Sequence, residues 1–420
     1  MKSHLIIVLL LIFASLSLGQ TPSASPSPVQ SVSPEKPRTK TFGSSLKKYK
    51  NNGQRYFQAN RKSNEPNDDE TIQIKTDLVV SDVLVTDQNG NIITGLKKDD
   101  FIVMENGVPQ TIEMFSSGEN ASIPRSIVLV IDYGGYQFPY HSIEAAKLLV
   151  DKLSPQDKMA IITDDVKLLV DFTTDKTLLK KTLDSFEKRG LKVWSDKISR
   201  SGGKNNQFSA LLAVLNEMFT AEDRQRIIIF QGDGSEISTL KPDNDTPYQI
   251  SKATKEKSRI RYESERDFGF SDIKEAVERS RATIYSIIPG IRFLGFSKEE
   301  RLARAKISLE NFNRAIGVTD YFERARLVRE FQAAQAEREL AAQTAMFKVA
   351  ELSGGKTGFI EKPEDAETVY SAIFNLISNR YAIGYYPTNQ EQDGKLREVK
   401  IEVREHPEYV VTGRKVYFPQ

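Results

Sequence analysis

The segment Arg125-Ser-Ile-Val-Leu-Val-Ile131, closed by Asp132, constrains the fold of this chain more than any other. A short apolar run of this kind, rich in β-branched residues, reads as a strand buried on both faces. Strands buried on both faces belong to parallel sheets covered by helices. A second run, Arg226-Ile-Ile-Ile-Phe-Gln-Gly-Asp233, repeats the arrangement. Open α/β sheets hold their ligands outside the carboxyl ends of the strands, so Asp132 and Asp233 are expected at a site. Two strand-end carboxylates suit a hard divalent cation.

The rhythm around these runs alternates. Helical spacing is expected over Ser142–Leu153, where Ile143, Ala146, Leu149 and Val150 recur on one face, and over Asp175–Lys188, Ser209–Phe219, Ser271–Arg281 and Glu364–Ser378. Strands are expected at Ile227–Phe230 and Thr283–Ile288. Met159–Ile162 and Leu168–Val170 form a hairpin across Asp164-Asp165. This alternation predicts an α/β class, a doubly wound and mostly parallel sheet over residues 120–380. Two polar stretches interrupt it. Residues 241–267 read as a loop, and residues 292–345 as a charged insertion whose Tyr321–Ala345 part is helical. That helix either packs back on the domain or forms an arm for a partner.

Both flanks are β in character. Residues 71–119 carry short apolar strands and the turn Asp87-Gln-Asn-Gly90, and residues 381–420 carry Tyr381–Tyr385, Val399–Val403 and Val410-Val411. Asn-Gly favours a hairpin because both residues tolerate positive φ. About 45 residues make too small a core for an independent sandwich, so the two flanks are predicted to complete one β-sandwich around or beside the inserted α/β domain. Ahead of them, residues 20–70 are rich in Ser, Pro, Asn and Lys and read as a linker without a core. Residues 1–19 have a basic start, a short apolar stretch and small residues at Ser17-Leu-Gly19, the pattern of a cleavable signal peptide. A secreted or periplasmic location follows, and no membrane span is expected in the mature chain.

Composition narrows the chemistry. The 420-residue chain has 39% hydrophobic residues, enough for more than one domain. Its net charge of +2 gives no general attraction to nucleic acid. It has no cysteine, which excludes disulfides, thiolate metal sites, thiol nucleophiles and a lipid-modified cysteine anchor. Of its three histidines His4 falls in the signal, leaving His141 and His406 too few for a histidine zinc site. No Gly-x-Ser-x-Gly elbow supports a serine triad. Gly354-Gly-Lys-Thr357 lacks the first glycine of a phosphate-binding loop, since that position is Ala350, and it follows a helix rather than a strand. No catalytic residue is assigned, and the chain is read as a non-enzyme.

Taken with the strand–Asp132–helix order, Ser209-Ala-Leu-Leu-Ala-Val-Leu215 and Phe230-Gln-Gly-Asp-Gly234 resemble the von Willebrand factor type A fold. Val83–Gly90, Gly95–Phe101, Glu105–Gly107, Leu352–Lys356 and Tyr381–Tyr385 resemble the VWFA-related family of secreted acidobacterial proteins. The resemblance implies an adhesion-type module binding a protein or extracellular-matrix ligand through the top of the sheet, often with Mg²⁺ or Mn²⁺. The family's adhesion motif, Asp-x-Ser-x-Ser, reads Asp132-Tyr133-Gly134-Gly135-Tyr136 here, so both serines are replaced. Matching the remaining positions implies Asp132, Ser209 and Asp233 as a degenerate metal set. Without a cation, the same carboxylates would hydrogen-bond loop amides and helix N-termini. Tyr133, Gly134, Tyr136 and Phe138 then form a candidate partner surface, or the aromatics pack inward to fill the altered site. A scaffolding role through the helical insertion or a sheet edge is the second functional reading.

Overall fold

In the computed structural model, residues 41–50, 78–117, 124–132, 139–186, 206–219, 224–259, 266–315, 317–391 and 393–419 are described. The predicted signal peptide and the aromatic residues Tyr133, Tyr136 and Phe138, with Gly134, lie outside them.

A six-stranded sheet forms the centre of the α/β domain. Its strands are β5 (Arg125–Ile131), β6 (Lys158–Thr163), β7 (Lys167–Thr173), β8 (Gln225–Gln231), β9 (Thr283–Pro289) and β10 (Thr357–Ile360), in the order β10-β9-β8-β5-β6-β7. All neighbours are parallel except β7, which turns back antiparallel on β6 at the edge. Every residue of β5 is buried, as its unbroken apolar run requires. Alternate side chains feed two cores. Val128, Val130, Ile228, Phe230 and Ile284 face one set of helices, while Ile127, Leu129, Ile227, Ile229 and Tyr285 face the other.

Helices Pro139–Lys152 and Asp365–Ser378 cover one face, and Gln207–Glu217 and Phe270–Ser280 help to cover the other. The 292–345 insertion is a pair of helices, Lys298–Ala315 and Tyr321–Ser353. The second does not stop at residue 345. Its last turns bury Ala341, Ala342, Ala345, Met346 and Val349 in the core, so this part is the crossover from β9 to β10. Alanine at these positions lets the helix approach closely: a Cβ on Gly234 would lie 2.6 Å from Ala342 O. The stretch 241–267 also departs from a simple loop. It contains the helix Lys252–Arg259, whose start is tied down by Glu337 accepting from Ser251 N at 2.5 Å and Ser251 Oγ at 2.7 Å.

Residues 41–50 fall inside the stretch read as linker, yet they pack on the α/β domain. Glu217 accepts from Gly43 N at 2.9 Å and Ser45 N at 2.7 Å, and Phe42, Leu46 and Tyr49 lie against the core. Three apolar residues within eight positions are enough to anchor a strap, and low average hydropathy hid them.

The flanks form the predicted sandwich. One sheet has the order β13-β1-β11-β4 and the other β14-β12-β2-β3, with β1 (Val79–Thr86), β2 (Phe101–Glu105), β3 (Val108–Gln110) and β4 (Ile112–Ser117) from the first flank and β11 (Tyr381–Tyr385), β12 (Arg397–Val403), β13 (Val410–Thr412) and β14 (Val416–Tyr417) from the second. Val79, Val83, Phe101, Ile383, Tyr385 and Val399 are among the residues filling its core. The sandwich joins the lower, N-terminal end of the parallel strands through Arg380. Its guanidinium pairs with Asp82 at 2.9 Å and donates to Asp82 O and Gly354 O. The glycines of Gly354-Gly-Lys-Thr357 serve packing here: Gly354 takes φ +79 to end the long helix, and a Cβ on Gly355 would lie 1.9 Å from Ile284 O.

Candidate functional site at the upper end of the sheet

Asp132 follows β5 and Asp233 lies two residues beyond β8, so adjacent parallel strands deliver both carboxylates to one corner. A single side chain joins them. Gln207, the first residue of its helix, donates from Nε2 to Asp132 Oδ2 and, at 2.8 Å, to Asp233 Oδ1. Its Oε1 accepts from Gly234 N at 2.8 Å. This network fixes the amide orientation by chemistry: the carboxylates need a donor and the backbone N–H needs an acceptor. Glycines make the room, because a Cβ on Gly232 would sit 3.1 Å from Gln207 Cδ and Gly234 turns at φ +72.

Ser209 is directed elsewhere. Its hydroxyl donates to Glu236 Oε1 at 2.6 Å, and Glu236 Oε2 accepts from Phe208 N at 2.5 Å and Ser209 N at 3.0 Å. A carboxylate from the neighbouring loop thus caps the helix, satisfying amides that the helix itself leaves unpaired. Arg266 Nε pairs with Glu236 Oε1 at 2.8 Å. Burial pushes the Glu236 carboxyl above its usual range, against the pull of Arg266 and the helix amides. Glu236 therefore sets the position of the helix that carries Gln207.

A third carboxyl borders the corner. Glu339, on the long helix, accepts from Gln335 Nε2 at 2.7 Å. Burial, reinforced by the negative charge of Asp233, pushes its pKa up to about 7, with Arg338 pulling the other way. The upper end of the sheet thus holds Asp132, Asp233 and Glu339 around a neutral amide.

The structure brings Asp132 and Asp233 together and separates Ser209 from them. This geometry does not fit a resident cation. The space between the two carboxylates is bridged by amide N–H groups, which donate and cannot coordinate, and Ser209 Oγ is engaged by Glu236. Among the described residues no group of three or more His, Asp or Glu side chains is arranged to hold a metal ion. Gln207 escaped the sequence reading because family matching pointed two residues further, to Ser209. The available signal was its place: an amide in the first turn of an apolar helix, facing two strand-end aspartates.

The strand order, the antiparallel edge strand β7 and the Asp132 corner define the class, an α/β domain of the von Willebrand factor type A kind. No family model and no curated protein matches the chain. Among solved structures it is similar to BatB, a conserved hypothetical protein from Bacteroides thetaiotaomicron, at 13% identity over 60% of this chain and 98% of that one, with a TM-score of 0.32. It is similar to the vWF domain of the type V pili tip protein Mfa5 from Porphyromonas gingivalis, at 12% identity over 61% and 95%, with a TM-score of 0.32. It is also similar to the manganese-loaded TRAP protein of Plasmodium vivax, at 10% identity over 75% and 98%, with a TM-score of 0.27. These likenesses are distant and say nothing about ligand or activity.

Proposed function

We propose that this chain is an exported, adhesion-type module that binds a protein or matrix ligand through the upper end of its parallel sheet without a resident cation. The observation that carries the reading is the Gln207 amide between Asp132 and Asp233. It supplies the donors that a divalent ion would otherwise replace with charge, so ligand contact passes to the loop that follows Asp132. That loop carries Tyr133, Gly134, Tyr136 and Phe138, and large aromatics are the side chains that most often anchor protein interfaces. The residues 1–19 provide the export signal in this reading, and no described helix is long and apolar enough to cross a membrane.

Two measurements test it. Calorimetric titration with Mg²⁺, Mn²⁺ and Ca²⁺ is expected to give no binding heat for the native chain, and a cation that binds with Gln207 intact overturns the cation-free reading. Binding to isolated envelope and matrix fractions is expected to fall at least tenfold in a Tyr133→Ser, Tyr136→Ser double variant and to survive Phe322→Ser. The second reading, a scaffold that works through the helical pair, rests on Tyr321 and Phe322, which are 70% and 79% exposed at the start of the long helix. It predicts the reverse pattern of losses.

A further inference from the structure

The lower end of the same sheet gathers positive charge. Arg226 lies near the start of β8, Arg281 immediately precedes Ala282 and β9, and Arg414 lies between β13 and β14 of the sandwich. Arg226 Nη1 donates to Ser280 O at 2.9 Å, and Arg414 Nη2 donates to Ala282 O at 2.7 Å. The two guanidiniums therefore bond the carbonyls on either side of Arg281. Arg414 Nη1 also donates to Val277 O at 2.8 Å and Glu278 O at 3.3 Å. Arg281 stacks its guanidinium over the Tyr417 ring at 5.6 Å. Carbonyls and a ring orient these groups without neutralising formal charge. The helix that ends at Ser280 contributes only about half a negative charge at its terminus.

The surrounding carboxylates leave the balance positive. Glu278 faces Arg414 from the helix, with Lys274 also acting on it and Asp245 and Glu275 beyond. Glu275 pairs with Arg279 at 2.9 Å, and Asp82 pairs with Arg380. Burial and the nearness of Arg281 draw Arg226 below its usual range, and the same causes, with Arg226 added, draw Arg414 down to about 10. A guanidinium keeps its proton under physiological conditions, so the relief available to the cluster is an added anion.

We propose that Arg226, Arg281 and Arg414 form a binding site for a tetrahedral oxyanion, a phosphate or sulfate group, at the junction of the sandwich and the α/β domain. Planar guanidinium forks match such oxygens in pairs. Three forks from three separate segments would give an anion that locks the two domains together. The site is independent of the upper-end reading, since it lies at the opposite ends of the strands.

The test is calorimetry and thermal melting of the full chain in sodium phosphate and sodium sulfate against sodium chloride at equal ionic strength. Saturable one-to-one binding and a rise in Tm specific to the oxyanions are expected. Arg281 has φ +57, a left-handed position suited to glycine. Arg281→Gly is therefore expected to melt in chloride no lower than the native chain while binding phosphate at least tenfold more weakly. Arg226→Gln gives a second reading of the same loss. Absence of saturable binding by the native chain, or unchanged binding in both variants, overturns the proposal. Flotation with phosphatidylglycerol vesicles separates sources: co-flotation lost in Arg281→Gly assigns the phosphate to a lipid headgroup, and phosphate binding without co-flotation assigns it to a free ion or soluble ester.

Discussion

At the lower end of the sheet, the Asp82 carboxylate lies 2.9 Å from the Arg380 guanidinium, which is itself 2% exposed. At the upper end, Asp132 and Asp233 meet the neutral amide of Gln207, with Glu339 close by. Both clusters bury carboxylates at strand ends. The lower pair balances one charge against one, and its remaining donors go to carbonyls of both domains, so it behaves as a structural clamp. The upper cluster carries an excess of negative charge that only dipoles offset. Structure alone gives no reason to keep such an excess, and local electrostatic imbalance in a strand-end corner is a recognised mark of a functional site.

Breaking the balanced pair should have the largest effect. Arg380→Met leaves Asp82 buried without its counter-charge and is expected to lower unfolding free energy by about 3–5 kcal/mol in urea denaturation. A loss below about 1 kcal/mol would mean that water reaches Asp82 and that the clamp is not buried in solution. Next comes the cap. Glu236→Gln removes the charge facing Arg266 and an acceptor for helix amides, with an expected cost of about 2–3 kcal/mol; hydrogen exchange should quicken first at Phe208 and Ser209.

The upper cluster responds differently. Gln207→Ala should cost about 1–2 kcal/mol, because two carboxylates lose their shared donor. The same variant is expected to gain a Tm increase in millimolar Mg²⁺, since the vacated space lies between two oxygen-donor side chains. No cation response would mean that the two carboxylates relax apart once the amide is gone. The smallest effect sharpens the comparison through pH. Glu339 titrates near 4.5 when unfolded and at about 7 when folded. The folded chain holds the extra proton between these values, so its stabilising share is full below about pH 4.5 and is lost as pH rises through about 7. Glu339→Gln is thus expected to stabilise the protein by about 1 kcal/mol at pH 8, with a much smaller change at pH 4. Equal effects at both pH values would show that Glu339 is charged throughout.

Much of the architecture was readable from periodicity. The unbroken apolar runs of β5 and β8 located the buried parallel strands, the hairpin across Asp164-Asp165 appeared as β6 and β7, and the two β flanks met in one sandwich. The strap at residues 41–50 was not legible, because its anchoring residues sit in a polar background. Nor was the full extent of the helix Tyr321–Ser353, whose charged first half resembles an insertion while its alanine-rich second half is core. At the upper end, Asp132 and Asp233 were legible as strand-end carboxylates. Gln207 and Glu236 were not, since neither belongs to a motif and each acts across a loop.

The sequence by itself determined which segments are strands and helices and which side chains the strand ends present. Those outcomes depend on local spacing of apolar residues, which the chain carries in its own order. Only the tertiary structure decided what fills the space between the presented groups. Gln207 reaches Asp132 across 75 positions and Ser209 finds Glu236 across 27. Arg226, Arg281 and Arg414 come from three separate segments. A hydrogen bond or ion cluster depends on distances of a few ångströms, and residues this far apart in sequence acquire such distances only when the sheet and its helices have packed.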